Sequence, residues 1–357
     1  MTSSCPAVTL YSRHSGFAYT HSIMGDTVTL GEVTCPSGTL ILMDGGYLDL
    51  WCGDRSPDES EFRGRGDIPA SDFEIVGRDA AAAARSFDRQ SGRTLYDIPQ
   101  PGSVELASLF NEHCREHGFE ASLRRFPRRI SHRDRARRAI AAGDPDFLIT
   151  GVSVVAVGDV PTGRPLPVTA VRGQWGWAHI RIGLRGDLAV ATRRLGSIGV
   201  DFARFVFADV DSLDSWEHHR PLDGLADVVF WGRDEAEIAA DLGAERTGTT
   251  EERGYGWFNL PVREAYARAV ALDNRKKVAP PRTFAFDFRP HSHHWQIMQG
   301  VRASENEAAT IEVGGAQLMM AMTSIGDGFF PVDVDVNAAG APVAIRITVT
   351  RDEVTAA

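Results

Sequence analysis

The sequence TIEVGGAQLMMAMTSIGDGFFPVDVDVNAAGAPVAIRITV, residues 310–349, contains the clearest succession of strands and turns in the chain. Gly-Gly at 314–315 separates two apolar runs, as a tight hairpin turn does. Gly-Asp-Gly at 326–328 and Asn-Ala-Ala-Gly at 337–340 punctuate two further runs. The pattern predicts a C-terminal four-stranded antiparallel meander with strands at residues 310–313, 316–323, 329–336 and 342–349.

The N-terminal part of the chain has the same alternation of apolar runs and turn residues. Residues 28–33 and 40–43 flank Pro-Ser-Gly at 36–38, which predicts a hairpin. Three phenylalanines alternate with other residues across 284–288, which predicts a strand with one aromatic face. Clusters of β-branched and apolar residues predict further strands at residues 147–157, 168–171, 179–182, 188–192 and 226–231.

Helices are predicted where apolar residues recur at three- and four-residue spacing between capping residues. A glycine follows one such segment, residues 104–117, and a Ser-x-x-Asp capping signal at 131–134 starts a shorter one. Further helices are predicted at 234–242 and from Pro261 onward. Strands and helices together indicate an α+β fold with mainly antiparallel sheets and flanking helices.

The length of 357 residues, with 43% hydrophobic and 24% charged residues, is that of an ordinary globular protein. It allows one large domain or about two. We interpret residues 1–357 as a single interlocked unit, in which lobes 1–120 and 146–357 are joined by a basic segment, 121–145. Residues 54–72 are rich in charge, Gly and Pro and are predicted to form a surface loop.

Composition excludes several classes of protein. No run of about 18 apolar residues is present, and the first residues lack the features of a secretory signal, so neither a membrane span nor export is expected. Four cysteines, at positions 5, 35, 52 and 114, form no C-x-x-C pair and are interpreted as free thiols in a reducing cytoplasm. A formal charge of −10 disfavours nucleic acid as a partner. No dinucleotide fingerprint, P-loop or nucleophile elbow is present.

Two turn motifs, one near each end of the chain, carry a family resemblance. The first is Gly-Glu-Val-Thr-Cys-Pro-Ser-Gly at residues 31–38, and the second is Thr-Ser-Ile-Gly-Asp-Gly-Phe-Phe-Pro-Val at residues 323–332. Both are similar to motifs of an uncharacterised bacterial domain-of-unknown-function family, so the chain resembles a DUF4241-like protein. The resemblance implies that the two terminal segments belong to one structural unit. That family has no established activity, and the resemblance therefore implies no particular chemistry.

The cluster Asp-Phe-Arg-Pro-His-Ser-His-His-Trp at residues 287–295 is the strongest candidate for a reactive site. Three imidazoles within four positions can supply nitrogen ligands to a divalent metal such as zinc. The predicted metal ligands are His291, His293, His294 and Asp287. The predicted catalytic residues are His291 and His293, with Asp327 orienting an imidazole for acid–base chemistry. The alternative is a His-rich surface loop whose imidazoles make structural hydrogen bonds.

Eight arginines lie between residues 124 and 138. Such a density either binds phosphate, nucleic acid or an acidic partner, or pairs with the 48 acidic residues of the chain on a solvated helix face. The candidate anion-binding residues are Arg128, Arg129, Arg133 and Arg137.

The run Arg-Gly-Gln-Trp-Gly-Trp at residues 172–177 is predicted to form a loop whose exposed tryptophans mark a recognition surface. Because catalytic signatures are missing, we expect a soluble, intracellular binding or interaction protein that recognises a protein partner or a small ligand. The alternative is an enzyme with a His/Asp site, with or without a metal, built from His291, His293, His294, Asp287 and Asp327. That site requires the two terminal segments to share a sheet whose rim holds all five side chains.

Overall fold

The computed structural model describes residues 26–59, 69–87, 92–143, 146–247, 254–278 and 281–350. Strands within these ranges are β1 (Thr27–Val33), β2 (Leu40–Asp44), β3 (Ala70–Val76), β4 (Thr94–Pro99), β5 (Ser122–Arg125), β6 (Asp146–Ile149), β7 (Val152–Val157), β8 (Leu166–Gly173), β9 (Gly176–Gly183), β10 (Ala191–Val200), β11 (Arg204–Asp209), β12 (Leu225–Trp231), β13 (Glu245–Arg246), β14 (Tyr255–Pro261), β15 (Ala285–Pro290), β16 (Ala308–Val313), β17 (Ala316–Met322), β18 (Gly328–Val336) and β19 (Pro342–Thr348). The α-helices are α1 (Ala80–Phe87), α2 (Ser103–His117), α3 (His132–Ala142), α4 (Glu235–Leu242), α5 (Val262–Lys277) and α6 (His293–Ala303). Short 3-10 helices lie at Gly45–Leu50, Pro57–Glu59, Gln100–Gly102 and Ser212–Ser215.

Two six-stranded antiparallel sheets form the body of the molecule. The outer sheet has the strand order β1-β8-β9-β19-β18-β10, and the inner sheet has the order β16-β17-β11-β2-β7-β6. Apolar side chains of both sheets pack between them, among them Phe205 and Phe207 of β11 and Ile180 and Ile182 of β9, all fully buried. The two sheets therefore form a sandwich.

The other face of the inner sheet is covered by α3 and α6. Ile41 of β2 and Val154 of β7 belong to one core with Ala136 of α3 and Ile297 of α6. All five positions of β2 are buried, because this strand lies at the centre of a sheet that is covered on both faces. Its continuous apolar sequence, Leu-Ile-Leu-Met, is typical of such a strand.

Two smaller antiparallel sheets carry the remaining helices. The four-stranded sheet, β13-β14-β12-β15, packs against α4 and α5 around the fully buried Phe230 and Leu272. The three-stranded sheet, β4-β3-β5, packs against α1 and α2 around Phe110. The predicted α+β class with mainly antiparallel sheets is confirmed.

Several predicted helix ends are also confirmed. The chain adopts the left-handed conformation at Gly118 after α2 (φ 68°) and at Gly143 after α3 (φ 72°), where a side chain other than glycine would be strained. The Oγ atom of Ser131 accepts a hydrogen bond from the backbone N of Asp134 and so caps the start of α3. These positions follow from local chemistry that is visible in the sequence.

The predicted four-stranded C-terminal meander is wrong, although all four strands exist. β16 pairs with β17 in the inner sheet, whereas β18 pairs with β19 in the outer sheet. The chain crosses between the sheets after β17, and Asp327 stabilises this crossing by accepting a hydrogen bond from the backbone N of Ala203 (2.9 Å). The Gly-Asp-Gly turn is therefore a corner of the sandwich.

The predicted N-terminal hairpin is corrected in the same way. β1 pairs with β8 in the outer sheet, and β2 lies between β11 and β7 in the inner sheet. The Oδ2 atom of Asp209 accepts hydrogen bonds from the backbone N and the Oγ atom of Ser37, at 2.8 and 2.6 Å. Both motifs of the family resemblance thus lie at corners where the chain passes from one sheet to the other.

Strands from both ends of the chain contribute to both large sheets. In the outer sheet, β19 and β18 lie between β9 and β10, and β1 is an edge strand. In the inner sheet, β17 lies on one side of β11 and β2 lies on its other side, next to β7. The basic segment that was predicted to join two lobes, 121–145, contains β5 and α3. It therefore takes part in the three-stranded sheet and in the cover of the inner sheet.

Three other expectations concern membrane spans, the cysteines and the predicted loop at 54–72. No helix in the described parts of the chain is long and apolar enough to cross a membrane. Cys35, Cys52 and Cys114 are buried free thiols, as predicted, and Cys5 lies outside the described residues. Of the predicted loop at 54–72, residues 60–68 lie outside the described ranges and the last three belong to β3.

Arg135 of α3 joins the three-stranded sheet to the inner sheet. Its side chain is fully buried, and its guanidinium donates to both carboxylate oxygens of Asp97 in β4, at 2.6 and 2.8 Å. The same guanidinium donates to the backbone O of Leu148 in β6 at 2.6 Å and to Asp72 in β3 at 3.4 Å. Its Nε atom donates to the backbone O of Ile130 at 3.0 Å. These bonds compensate for the water that a buried charge loses.

The electrostatics of this network centre on Asp97. Burial alone would raise the pKa of Asp97, but the hydrogen bonds and positive charge of Arg135 outweigh it and hold that pKa well below its ordinary value. Burial raises the pKa of Asp72, whose contact with Arg135 is longer. Asp97 is therefore the main counter-ion of the buried guanidinium.

We predict that Asp97→Asn lowers the free energy of unfolding by about 3–5 kcal/mol, because it leaves a buried guanidinium without its main counter-ion. Urea unfolding at neutral pH measures this change. Because the pKa of Asp97 is lowered in the folded state, the contribution is present above about pH 4 and is lost as the pH falls below that value. Arg137→Ala removes exposed ion pairs and should cost less than about 1 kcal/mol. Equal losses in the two variants would contradict the prediction.

Candidate functional site

The histidines at residues 291–294 lie at the start of α6, a helix that the sequence did not predict. Ser292 caps this helix, since its Oγ atom accepts a hydrogen bond from the backbone N of Trp295 at 3.2 Å. β15 ends at Pro290, so the chain passes from strand to helix within three residues. Residues 216–223 lie along this helix start. The two segments together contain the histidine cluster: His218, His219, His291, His293 and His294.

His291 is held between two carboxylates. Its Nδ1 atom lies 2.9 Å from Oδ2 of Asp223, and its Nε2 atom lies 3.1 Å from Oδ1 of Asp227. Its ring stacks on that of Trp295, with centroids 4.5 Å apart. Burial alone would lower the pKa of His291, but the hydrogen bonds to the two carboxylates outweigh it and raise that pKa. Through these two contacts His291 ties residue 223 to the four-stranded sheet.

His293 binds the backbone of the neighbouring segment. Its Nδ1 atom accepts a hydrogen bond from the backbone N of Glu217 at 2.9 Å, and its own backbone N donates to the backbone O of Glu217 at 3.0 Å. Its ring stacks on Trp216, with centroids 5.7 Å apart. An imidazole that accepts at Nδ1 has to be neutral there, and burial accordingly lowers the pKa of His293.

His294 and His218 stack face to face, with ring centroids 4.1 Å apart. Burial, with a smaller effect of neighbouring imidazoles and Arg204, lowers the pKa of His218 to about 3 and that of His294 to about 4. Nδ1 of His218 accepts a hydrogen bond from Nε1 of Trp216 at 3.2 Å. Nδ1 of His294 is buried without a hydrogen-bond partner among the described residues. The stacked pair is therefore uncharged near neutral pH.

The structure does not gather the predicted ligands around one point. The three imidazoles of α6 and its cap face a carboxylate pair, a backbone amide and another imidazole, partly because consecutive helix positions point about 100° apart. Asp287 pairs with Arg289 at 2.8 Å, and Asp327 with the backbone of Ala203. In the parts of the chain that the structure describes, no group of three or more His, Cys, Asp or Glu side chains is placed to hold a metal ion. The structure therefore does not assemble the predicted catalytic and zinc site of His291, His293, His294, Asp287 and Asp327.

The partners of these histidines come from residues 216–227, a part of the chain without a predicted site residue. Trp-Glu-His-His at residues 216–219 and His-Ser-His-His-Trp at 291–295 are two runs of similar composition. That shared composition was the available signal. Asp223 and Asp227 had no such signal, because isolated carboxylates near a strand are common.

The four candidate anion-binding arginines each contact a carboxylate of this chain. The pairs are Arg128–Glu59, Arg129–Asp58, Arg133–Asp54 and Arg137–Asp54, with N···O distances between 2.7 and 3.4 Å. An external anion would have to compete with these groups. Anion binding stays a prediction, which the local charges disfavour.

Exposed apolar side chains collect where three turns meet at one end of the sandwich. Trp175, in the β8–β9 turn, is 76% exposed, and Phe329, at the start of β18, is 78% exposed. Phe202 lies between β10 and β11 and Ile325 between β17 and β18, and these are 48% and 44% exposed. Trp175, Phe202, Ile325 and Phe329 form what we call the three-turn surface.

Hydrogen bonds hold the three turns against one another. The backbone N of Trp177 donates to the Oγ atom of Ser324 at 2.8 Å, which joins the first turn to the third. The contact of Asp327 with Ala203 joins the second turn to the third. Trp177 is buried, so of the two tryptophans in the predicted loop 172–177, Trp175 is the one that reaches solvent.

We predict that His294→Phe makes the protein less sensitive to acid. Unfolded imidazoles take up protons below about pH 6.5, whereas folded His218 and His294 do so only near pH 3 to 4, so stability falls as the pH drops between these limits. Removing one imidazole should reduce that fall by up to about 1.4 kcal/mol per pH unit, and phenylalanine preserves the ring stack. Denaturant unfolding at several pH values between about 4 and 7 measures it. An identical pH dependence of His294→Phe and wild type would refute the prediction.

We also predict that His291→Phe lowers the free energy of unfolding by about 1–3 kcal/mol, because the buried carboxylate of Asp227 loses a charged hydrogen-bond partner. Because the pKa of His291 is raised on folding, this contribution is full below about pH 6.5 and is lost as the pH rises through the folded-state pKa. Chemical unfolding at pH 6 and pH 8 tests both statements. Asp223→Asn, which changes the exposed partner, should cost less than His291→Phe. A loss that is larger at pH 8 than at pH 6 would be inconsistent with this role.

Comparison with known proteins leaves the function to be inferred from this chain. No family model, curated protein or solved structure matches it. The DUF4241-like resemblance of the two turn motifs stays a prediction. Function is therefore inferred from the geometry of the histidine cluster and of the three-turn surface.

Proposed function

We propose that the protein is a cytoplasmic binding protein that docks a protein partner on the three-turn surface. The observation that carries this proposal is the exposure of Trp175 and Phe329, each more than three-quarters open to solvent on adjoining turns. Exposed tryptophan on a rigid turn is typical of an interface anchor. Each large apolar side chain that a partner covers fully contributes about 1.5–3 kcal/mol to association.

The turns that carry these side chains are already ordered. Hydrogen bonds from Trp177 to Ser324 and from Ala203 to Asp327 join them. The ring of Phe202 packs edge to face against the ring of Tyr47, and the two ring centroids are 5.3 Å apart. A surface that is organised before binding loses little conformational entropy when the partner docks.

Charges around the three-turn surface indicate the chemistry of the partner. Exposed carboxylates at Asp201, Asp327, Glu305 and Glu307 lie on the same or adjoining turns. Two cations lie beside them: Arg172, which donates to Asn306 at 3.0 Å, and Arg204, whose guanidinium lies 5.7 Å from the ring centroid of Phe202. An acidic rim around an apolar centre complements a partner with an apolar patch rimmed by Lys and Arg. The net charge of −10 opposes docking of a second copy of this chain.

The competing enzyme hypothesis receives no specific support from the site. The imidazoles of the histidine cluster are engaged in stacking or in hydrogen bonds within the protein. A cytoplasmic location is supported by Cys35, Cys52 and Cys114, because three buried free thiols suit a reducing compartment.

A binding experiment with a designed probe tests the proposal. The probe is a short, labelled amphipathic peptide helix with leucine on one face and lysine on the other, and fluorescence anisotropy measures its affinity. We expect saturable binding that weakens at least about tenfold in the double variant Trp175→Ala/Phe329→Ala. Binding should also weaken as salt is raised from about 50 to 500 mM.

The matched control uses exposed apolar residues at the opposite end of the sandwich. Leu188 and Val190 are 83% and 60% exposed and lie beside Val336, at the far end of β18 from Phe329. Leu188→Ala/Val190→Ala should retain wild-type affinity, and a peptide with glutamate in place of lysine should not bind. If both double variants bind the lysine peptide as the wild type does, the three-turn surface is not the docking site.

A further inference from the structure

A cavity of about 180 Å³ lies at the end of the sandwich opposite the three-turn surface. It opens where β7 ends, where β10 begins and where β18 turns toward β19, under the last turn of α3. Its apolar lining is supplied by Ile140, Ala156, Val157, Leu195, Val334 and Pro342. The charged residues of the lining are Asp159 and Arg193.

Arg193 is directed toward this cavity by the register of the outer sheet. It pairs with Val334, so the two side chains lie on the same face of the sheet, and Val334 faces the core. Leu195, two positions along β10, is buried in the same core. The next residue, Arg194, pairs with Asp333 at 2.7 Å on the other face.

Neither charged residue of the lining has a protein partner for its side chain. Among the described residues, the guanidinium of Arg193 and the carboxylate of Asp159 form no ion pair or hydrogen bond, with each other or with other groups. The backbone of Asp159 is in the left-handed region (φ 56°), and its carbonyl accepts a hydrogen bond from Arg185 at 2.9 Å. A cation and an anion, both exposed to solvent and without a protein partner in the described part of the chain, therefore line one half-open cavity beside its aliphatic side chains.

We propose that this cavity binds a small aliphatic α-amino acid of about the size of valine or leucine, with Arg193 donating to the carboxylate and Asp159 accepting from the ammonium group. The aliphatic side chain contacts Ile140, Leu195 and Val334. The C-terminal end of α3, at Ile140 and Gly143, carries partial negative charge and so favours the ammonium group on that side.

The size of the cavity restricts the class of ligand. Pockets for drug-sized molecules usually enclose about 300–1,000 Å³, so a volume of about 180 Å³ favours a small ligand. A ligand with one charge would leave either Arg193 or Asp159 unpaired, whereas an amino acid neutralises both. This site is distinct from the three-turn surface and does not depend on the function proposed for it.

Titration calorimetry on the whole chain tests the proposal with three probes: leucine, 4-methylpentanoate, which lacks the ammonium group, and 3-methylbutylamine, which lacks the carboxylate. Leucine should bind at least about tenfold more tightly than either single-charge probe. Arg193→Gln should weaken leucine and 4-methylpentanoate by about tenfold or more and leave 3-methylbutylamine unchanged. Asp159→Asn, which tolerates the positive φ, should have the reciprocal effect.

Arg194→Gln is the matched control, because it removes the same charge from the next residue of β10 on the opposite face. It should leave the affinity for leucine unchanged. The proposal is overturned by any of three results: no saturable binding of leucine at millimolar concentration, equal affinity for the three probes, or equal effects of Arg193→Gln and Arg194→Gln. Arg193 and Arg194 are both exposed, so both variants should fold. Circular dichroism checks this.

Discussion

The buried ion pair between Arg135 and Asp97 is the constraint on which the rest of the structure depends. A guanidinium without access to water is stable only because Asp97, Asp72 and two backbone carbonyls surround it. These groups belong to β3, β4, β6 and the residue before the cap of α3, so the hydrogen bonds of one side chain hold α3 on the inner sheet and the three-stranded sheet beside it. The inner sheet then has a core on each face, which explains why β2 is apolar at four consecutive positions.

Local chemistry was predictable from the sequence, whereas the choice of strand partner was not. Gly118 and Gly143 end their helices as expected, because the left-handed conformation depends on the residue itself. Pro-Ser-Gly at 36–38 and Gly-Asp-Gly at 326–328 do form turns, but a turn does not specify which sheet receives the next strand. That choice depends on contacts such as Ser37 with Asp209, which are 172 positions apart.

In the candidate site, too, local features were predictable from the sequence and long-range contacts were not. The exposure of Trp175 followed from the loop composition around it. The contacts of the three histidines, by contrast, depend on Glu217, Asp223 and His218, which lie in a distant segment of the chain. His293 and Glu217 are 76 positions apart, and no spacing rule connects them. Among eight arginines, nothing in the sequence distinguishes Arg135. Asp72 falls within the predicted loop at 54–72, although it is a buried member of β3.

The position of the C-terminal hairpin has a consequence for how the molecule is made. β18 and β19 lie in the middle of the outer sheet, where they separate β9 from β10. During synthesis, both of those strands leave the ribosome more than a hundred residues before their neighbours exist. The outer sheet therefore cannot be completed before residues 328–348 have been made, and its completion closes very long loops, which slows folding. Until then two open edges of hydrogen-bonding groups are available to other chains, which makes the unfinished polypeptide a natural client for chaperones.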